Sequence, residues 1–144
     1  MATHLPDVNV LIALHDSAHS GHEATHKWFA NGGSEDWATC PLTENGFARV
    51  LSQPQYPNPV GTVSDAGHLL ASTIATYGKT HKFWPDSISL LDDQYFDLKT
   101  IAGPKQITDA YLLMLCRVHG GMLVTLDSRI NKASKIPGTN ILIL

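Results

Sequence analysis

The chain has 144 residues, 43% of them hydrophobic, and its 13 acids outnumber its 10 lysines and arginines to give a formal net charge of −3. That length fits one domain over residues 1–144 with a real packed core, and the composition excludes a disordered chain. No apolar run approaches a membrane span, and the first residues lack the basic-then-apolar pattern of a secretory signal, so a cytoplasmic protein with no membrane association is expected. The negative balance argues against gripping nucleic acid through a broad basic face, but it leaves room for an enzyme whose bound metal ions carry the positive charge.

In chain order, Leu5-Pro6-Asp7 reads as a very short extended piece. Residues 8–15 follow as a helix, with Val10, Leu11 and Leu14 at helical spacing. Residues 21–31 form a second helix on the stripe Ala24, Trp28 and Phe29, stopped by Asn31-Gly32-Gly33. A short strand is expected over 36–39. Pro41 then fits the first turn of a helix through Glu44, Phe47, Val50 and Leu51, closed by Gln53-Pro54. Residues 54–61 are proline-rich loop, and Ser64 or Asp65 is expected to cap a helix through Leu69, Leu70 and Ile74 to Gly78. A strand over 82–84 precedes Pro85, and 88–101 is ambiguous, with a short helix as one reading. Thr108 is expected to cap a strongly apolar helix over 109–119, ended by Gly120-Gly121. Residues 122–126 and 141–144 read as buried strands. Helices alternating with short buried strands predict an α/β fold, a parallel sheet with helices on both faces.

Cys40 and Cys116 are too few for a disulfide framework and sit in apolar stretches, where a buried thiol serves as a small hydrophobe. His22-Glu23-Ala24-Thr25-His26 matches the zinc-protease signature. No third histidine follows at the spacing such enzymes use, so a zinc metalloprotease stands only as the alternative reading.

Four acids stand apart from the other nine. Asp7 opens the first helix on the face of Val10, Leu11 and Leu14, and Glu44 shares a face with Phe47, Ala48 and Leu51. Asp109 has Leu112, Leu113 and Cys116 at the same offsets, and Asp127 ends the buried run Met-Leu-Val-Thr-Leu. A carboxylate on an apolar face is costly without compensation. Each has a duller explanation, a cap or a helix-start charge, but divalent cations could compensate all four together. Magnesium takes oxygen ligands, and the carboxyl ends of parallel strands are where open α/β sheets place their ligands.

The surrounding motifs carry a resemblance. Leu-Pro-Asp7-Val-Asn9-Val-Leu-Ile, Pro-Leu-Thr43-Glu44-Asn45-Gly-Phe-Ala-Arg49, Thr108-Asp109-Ala-Tyr-Leu-Leu and Val-Thr125-Leu-Asp127-Ser-Arg129, in that order, resemble the four motifs of PIN-domain ribonucleases. Phe83-Trp84-Pro85-Asp86 resembles a subgroup, the VapC toxins of bacterial toxin–antitoxin pairs. The resemblance implies a three-layer α/β/α fold with a short, mainly parallel sheet. It implies a magnesium-dependent endoribonuclease, with manganese as a substitute metal, cleaving RNA through Asp7, Glu44, Asp109 and Asp127. Asp7, Asp109 and Asp127 would be metal ligands, and Glu44 would position the metal or its water. Asn9, Thr125 and Arg129 would be accessory, with Arg117 and Lys132 as further candidates for guiding the RNA backbone. A homodimer and an antitoxin that covers the acidic cleft are the implied partners. A PIN-like binding module without activity is the second alternative.

Overall fold

A computed structural model describes residues 2–130 and 140–144. Lys132 lies outside the described residues. Five short strands form one all-parallel sheet: β1 (His4–Pro6), β2 (Trp37–Thr39), β3 (His81–Phe83), β4 (Met122–Thr125) and β5 (Asn140–Ile143), in the order β3-β2-β1-β4-β5. Parallel neighbours need crossovers. Among the described residues, these are supplied before β4 by α1 (Val8–His15), α2 (His22–Ala30), α3 (Pro41–Leu51), α4 (Val63–Thr76) and α5 (Ile107–His119).

Side chains alternate across each strand, and the register therefore sorts them into two rows. His4, Trp37, His81 and Met122 stand level in neighbouring strands. Trp37 packs with Leu11, Phe29, Phe47 and Leu70, the core under α1 to α4. One residue along, Leu5 and Leu123 face the other way, into the core made with Leu112, Leu113 and Cys116 of α5. The sheet is thus the middle of three layers, as expected. Full burial of each such leucine or phenylalanine contributes roughly 2 kcal/mol.

Three local expectations are corrected. Thr62, not Ser64 or Asp65, caps α4: its hydroxyl accepts from the Asp65 backbone N–H at 3.1 Å while the Asp65 carboxylate accepts from the Thr62 N–H at 2.8 Å, a reciprocal box. Thr108 does not cap α5. A 3₁₀ turn, Pro104–Gln106, runs straight into the helix, so Gln106 is the cap position and Thr108 already lies in the first turn. Residues 88–101 form turns and a single 3₁₀ turn, Leu98–Thr100, anchored by Phe96 stacked on Tyr111 and by the Tyr111 hydroxyl donating to the Ile88 carbonyl at 2.8 Å. α5 ends as expected on Gly120, whose φ of +68° is left-handed, and the Gly121 N–H closes on the Cys116 carbonyl at 2.7 Å.

Candidate metal centre

All five strands point the same way, so their carboxyl ends form one rim, and Asp7 directly follows β1 in its middle. The Asp7 N–H donates to the Val124 carbonyl of β4 at 2.9 Å, which ties the end of β1 to its neighbour. Its carboxylate caps α1, accepting from the Val10 N–H at 2.9 Å. That bond leaves the second carboxylate oxygen for other work. Asp7 is 8% exposed. Burial pushes its pKa up to about 6, the Thr125 hydroxyl and the Val10 N–H hold it back, and the charges of Asp109 and Asp127 push it further up.

Those influences locate the neighbours. Asp109, in the first turn of α5, is half-buried, and its pKa is raised first by burial and then by Asp127. Thr125 closes β4 at 1% exposure, on the side of Leu123 and α5, and its hydroxyl accepts from the Asp127 N–H at 3.1 Å. Asp127 is more open. Its carboxylate is engaged by the Arg129 guanidinium at 3.1 Å and by the Arg129 N–H at 2.9 Å, which hold its pKa below the usual carboxylate range. The pair is solvent-exposed and easily exchanged for another cation. Asn9 is exposed and lines a hollow of about 320 Å³ with His19, Leu126, Asp127 and Arg129. Lys105, Asp109, Asp127 and Arg129 share another.

Glu44 is the member that the structure does not bring to the other three. It is the fourth residue of α3, and its carboxylate accepts from the Thr39 hydroxyl at 2.7 Å. The same hydroxyl meets His81 Nε2 at 2.8 Å. Thr39, Trp37 and His81 share one side of their strands, and the His81 ring packs edge-on against Trp37 at 4.6 Å. Glu44 thus belongs to the face covered by α1 to α4, and the charges it acts on are His81 and Asp86. Arg117 is also displaced: it sits in the last turn of α5, eight residues and roughly 12 Å of helix from Asp109.

The donor set at Asp7, Asp109, Asp127 and Thr125 is all oxygen, which suits magnesium or manganese rather than zinc. A nine-tenths buried carboxylate in the company of two others is the group a divalent cation would relieve. Among the described residues no three His, Cys, Asp or Glu side chains already converge at ligating distance, in keeping with Asp127 being turned to Arg129. The His22 and His26 rings do meet at 4.9 Å, but His22 Nδ1 is taken by the Ala13 carbonyl at 2.6 Å and Glu23 is exposed. Both cysteines are free and buried. The aromatic pair splits: Trp84 is core, stacked on His119 at 4.4 Å, and Phe83 is 54% exposed. Sequence reasoning missed Thr39 and His81. Their signal was period-two spacing with Trp37 and a hydroxyl at the end of a buried strand.

The PIN domain family model matches residues 5–136. Ribonuclease VapC44 of Mycobacterium tuberculosis is 45% identical over 134 residues, covering 93% of this chain and 92% of that one. Ribonuclease VapC38 of the same organism is 43% identical over 125 residues, covering 86% and 84%. Among solved structures, Mycobacterium tuberculosis VapC20, a Sarcin-Ricin loop cleaving toxin, superposes with a TM-score of 0.64 at 11% identity over 95% of this chain and 99% of that one. Rickettsia felis VapBC2, bound to a DNA fragment from its promoter, gives 0.63 at 11% identity over 99% and 98%. With the fold, the rim of acids and a 45% identical VapC relative in agreement, this chain belongs to the PIN-domain family.

Proposed function

We propose that this protein is a magnesium-dependent endoribonuclease and the toxin of a toxin–antitoxin pair. The carrying observation is Asp7: a buried carboxylate at the carboxyl rim of a parallel sheet, kept among like charges that, among the described residues, no protein cation neutralises except at Asp127. Selection for stability alone would place an asparagine there, which caps a helix equally well. Asp7 and Asp109 would hold the metal, with Asp127 joining on release from Arg129. The Thr125 hydroxyl and the Val10 N–H orient the Asp7 carboxylate. Glu44 is assigned a supporting part, setting the junction of β2 with α3 rather than holding metal. When bound, magnesium supplies positive charge for the phosphate and makes water more acidic. Arg129, once freed from Asp127, would meet a backbone phosphate. The ribonuclease names of its relatives support RNA as the substrate. A protein antitoxin covering the acid rim, and action as a homodimer, belong to the same reading.

The test is cleavage of end-labelled RNA by purified protein with magnesium, manganese, zinc or chelator. Cleavage with magnesium or manganese only, abolished in Asp7→Asn, is the expected result. Activity that survives chelation, or an Asp7→Asn protein that cuts at the wild-type rate, refutes the metal assignment.

A further inference from the structure

The acid rim leaves a second hollow unused. A cavity of about 330 Å³ lies against α3, lined by Val8, which follows Asp7 in the chain, and by Thr108, which precedes Asp109. It is therefore bordered by the chain neighbours of two of the three acids, although neither acid lines it. Gly46 lets it form: a Cβ there would stand 2.6 Å from Val8 Cγ2, so glycine is what allows α3 to approach the start of α1 this closely. Asn45 and Arg49, one helical turn apart, line one wall, and Asp86 lines another. Arg49 enters neither ion pair found among the described residues, although Asp86 lines the same hollow. A cation, a carboxylate and an amide, all exposed, thus border an open hollow at the small end of ligand sites, with room for a base.

We infer that this cavity is the specificity subsite of the nuclease and takes a guanine base from a nucleotide beside the cleaved phosphate. The inference rests on the ribonuclease reading above. Guanine alone among the four bases presents the acceptor pair O6 and N7 together with the donor pair N1–H and N2–H. A guanidinium meets the first pair in a fork, and a carboxylate accepts from the second. Proteins that read single-stranded RNA work through these Watson–Crick and Hoogsteen edges. Adenine has no N1–H and an amino group where O6 would be, and pyrimidines have no N7. Arg49, Asp86 and Asn45 are therefore specificity residues, and the acids at the rim are indifferent to the base.

The experiment digests a pool of random-sequence RNA with the wild-type protein and magnesium and counts the bases flanking the new ends. Guanine enriched at one fixed position is expected, and the enrichment should fall roughly 5- to 150-fold in Arg49→Ala, the range a bidentate base contact commands. A second measurement needs no variant: in a defined oligonucleotide, inosine at that position removes N2–H₂ and 7-deazaguanosine removes N7, and each should slow wild-type cleavage. No positional guanine preference, or full tolerance of both analogues, overturns the subsite while leaving the nuclease intact. A guanine preference unchanged in Arg49→Ala, with inhibition by the cognate antitoxin weakened instead, assigns the cavity to a protein partner and also overturns it. No RNA cleavage by the wild type under any divalent metal fails the underlying reading instead.

Discussion

Asp7 and Glu44 each belong to a strand-to-helix junction on the carboxyl rim, one after β1 and one after β2, and the sheet sends them to different sides. Asp7 is the first residue beyond its strand. Its direction is set by the extended backbone, and it turns toward Thr125 and the start of α5. Glu44 stands a full turn inside α3, so the rotation of the helix decides where it points. Phe47 and Leu51, three and seven residues on, are both buried in the core under α1 to α4, and they carry Glu44 to that side, where Thr39 receives it. The difference teaches that a carboxylate's distance past the strand end, more than its presence in a motif, fixes whether it can join a rim cluster.

The largest expected effect is at Asp7. Asp7→Asn should lower RNA cleavage by well over the ~100-fold that loss of a group merely supporting a metal ligand costs. The fold should survive, because asparagine still accepts from the Val10 N–H. A still-folded variant with less than about a tenfold loss would place the chemistry elsewhere.

The same pair of proteins gives a pH signature in chelator. The folded pKa of Asp7, about 6, lies above its ordinary value of 3.8, so between those pH values the native wild type holds a proton that the unfolded chain has lost. Its stability contribution is complete below about pH 4 and is lost as pH rises through 6. The asparagine of the variant titrates nowhere, and the shifted groups away from the acid rim cancel in the comparison. Urea unfolding should therefore show Asp7→Asn gaining on wild type from about pH 4 to about 6.5 and then levelling off, by up to roughly 3 kcal/mol. Added magnesium should narrow that gap at about pH 7.5 by stabilising wild type alone. A gap that is flat across the range would mean that Asp7 is not held among charges that oppose its ionisation.

Thr39→Val probes the other side of the comparison. Valine fits the fully buried site but removes the hydroxyl that joins Glu44 to His81. Both partners lose a bond, and a cost of about 1–3 kcal/mol in thermal or urea unfolding is expected, toward the lower end because Glu44 is only half-buried. Cleavage per folded molecule should change only a few-fold. A loss as deep as that of Asp7→Asn would tie Glu44 to the chemistry after all.

Much of this was legible in the sequence, because buried strands and apolar helix faces write themselves as runs and periods. Residues 122–125 carry no polar side chain before Thr125, and Asp127 stands out at the end of the run. The acid at 109 was readable from Leu112, Leu113 and Cys116, all buried against the sheet. The offsets of Glu44 were read correctly too. They could not reveal that the face of Phe47 and Leu51 and the face of Leu112 and Leu113 lie on opposite sides of the sheet, because that is a fact of topology rather than of any one segment. The caps at Thr62 and Gln106 escaped for a local reason: several polar residues in a row offer several starts, and a preceding 3₁₀ turn hides the true one.

Glu44→Gln is the mildest substitution and the sharpest on the comparison. Glutamine keeps the length of the side chain and a carbonyl oxygen to accept from Thr39, so the bond changes from charge-assisted to neutral rather than disappearing. The loss of stability should be about 0.5–1 kcal/mol. His81 loses the one charge that raises its pKa while burial continues to lower it. In Glu44→Gln the His81 imidazole should therefore titrate at lower pH than in wild type, a shift that NMR of the ring can follow. A rim ligand and a junction residue diverge on metal. If Glu44 held the cation, the neutral amide would weaken magnesium binding and cleavage together, and His81 would report the change only when magnesium is present. If Glu44 serves the β2–α3 junction, the His81 shift appears with or without magnesium, magnesium affinity stays at the wild-type value, and cleavage falls by less than about tenfold. A magnesium affinity that drops in step with activity in Glu44→Gln would return this residue to the cluster and show that α3 rotates when the metal binds.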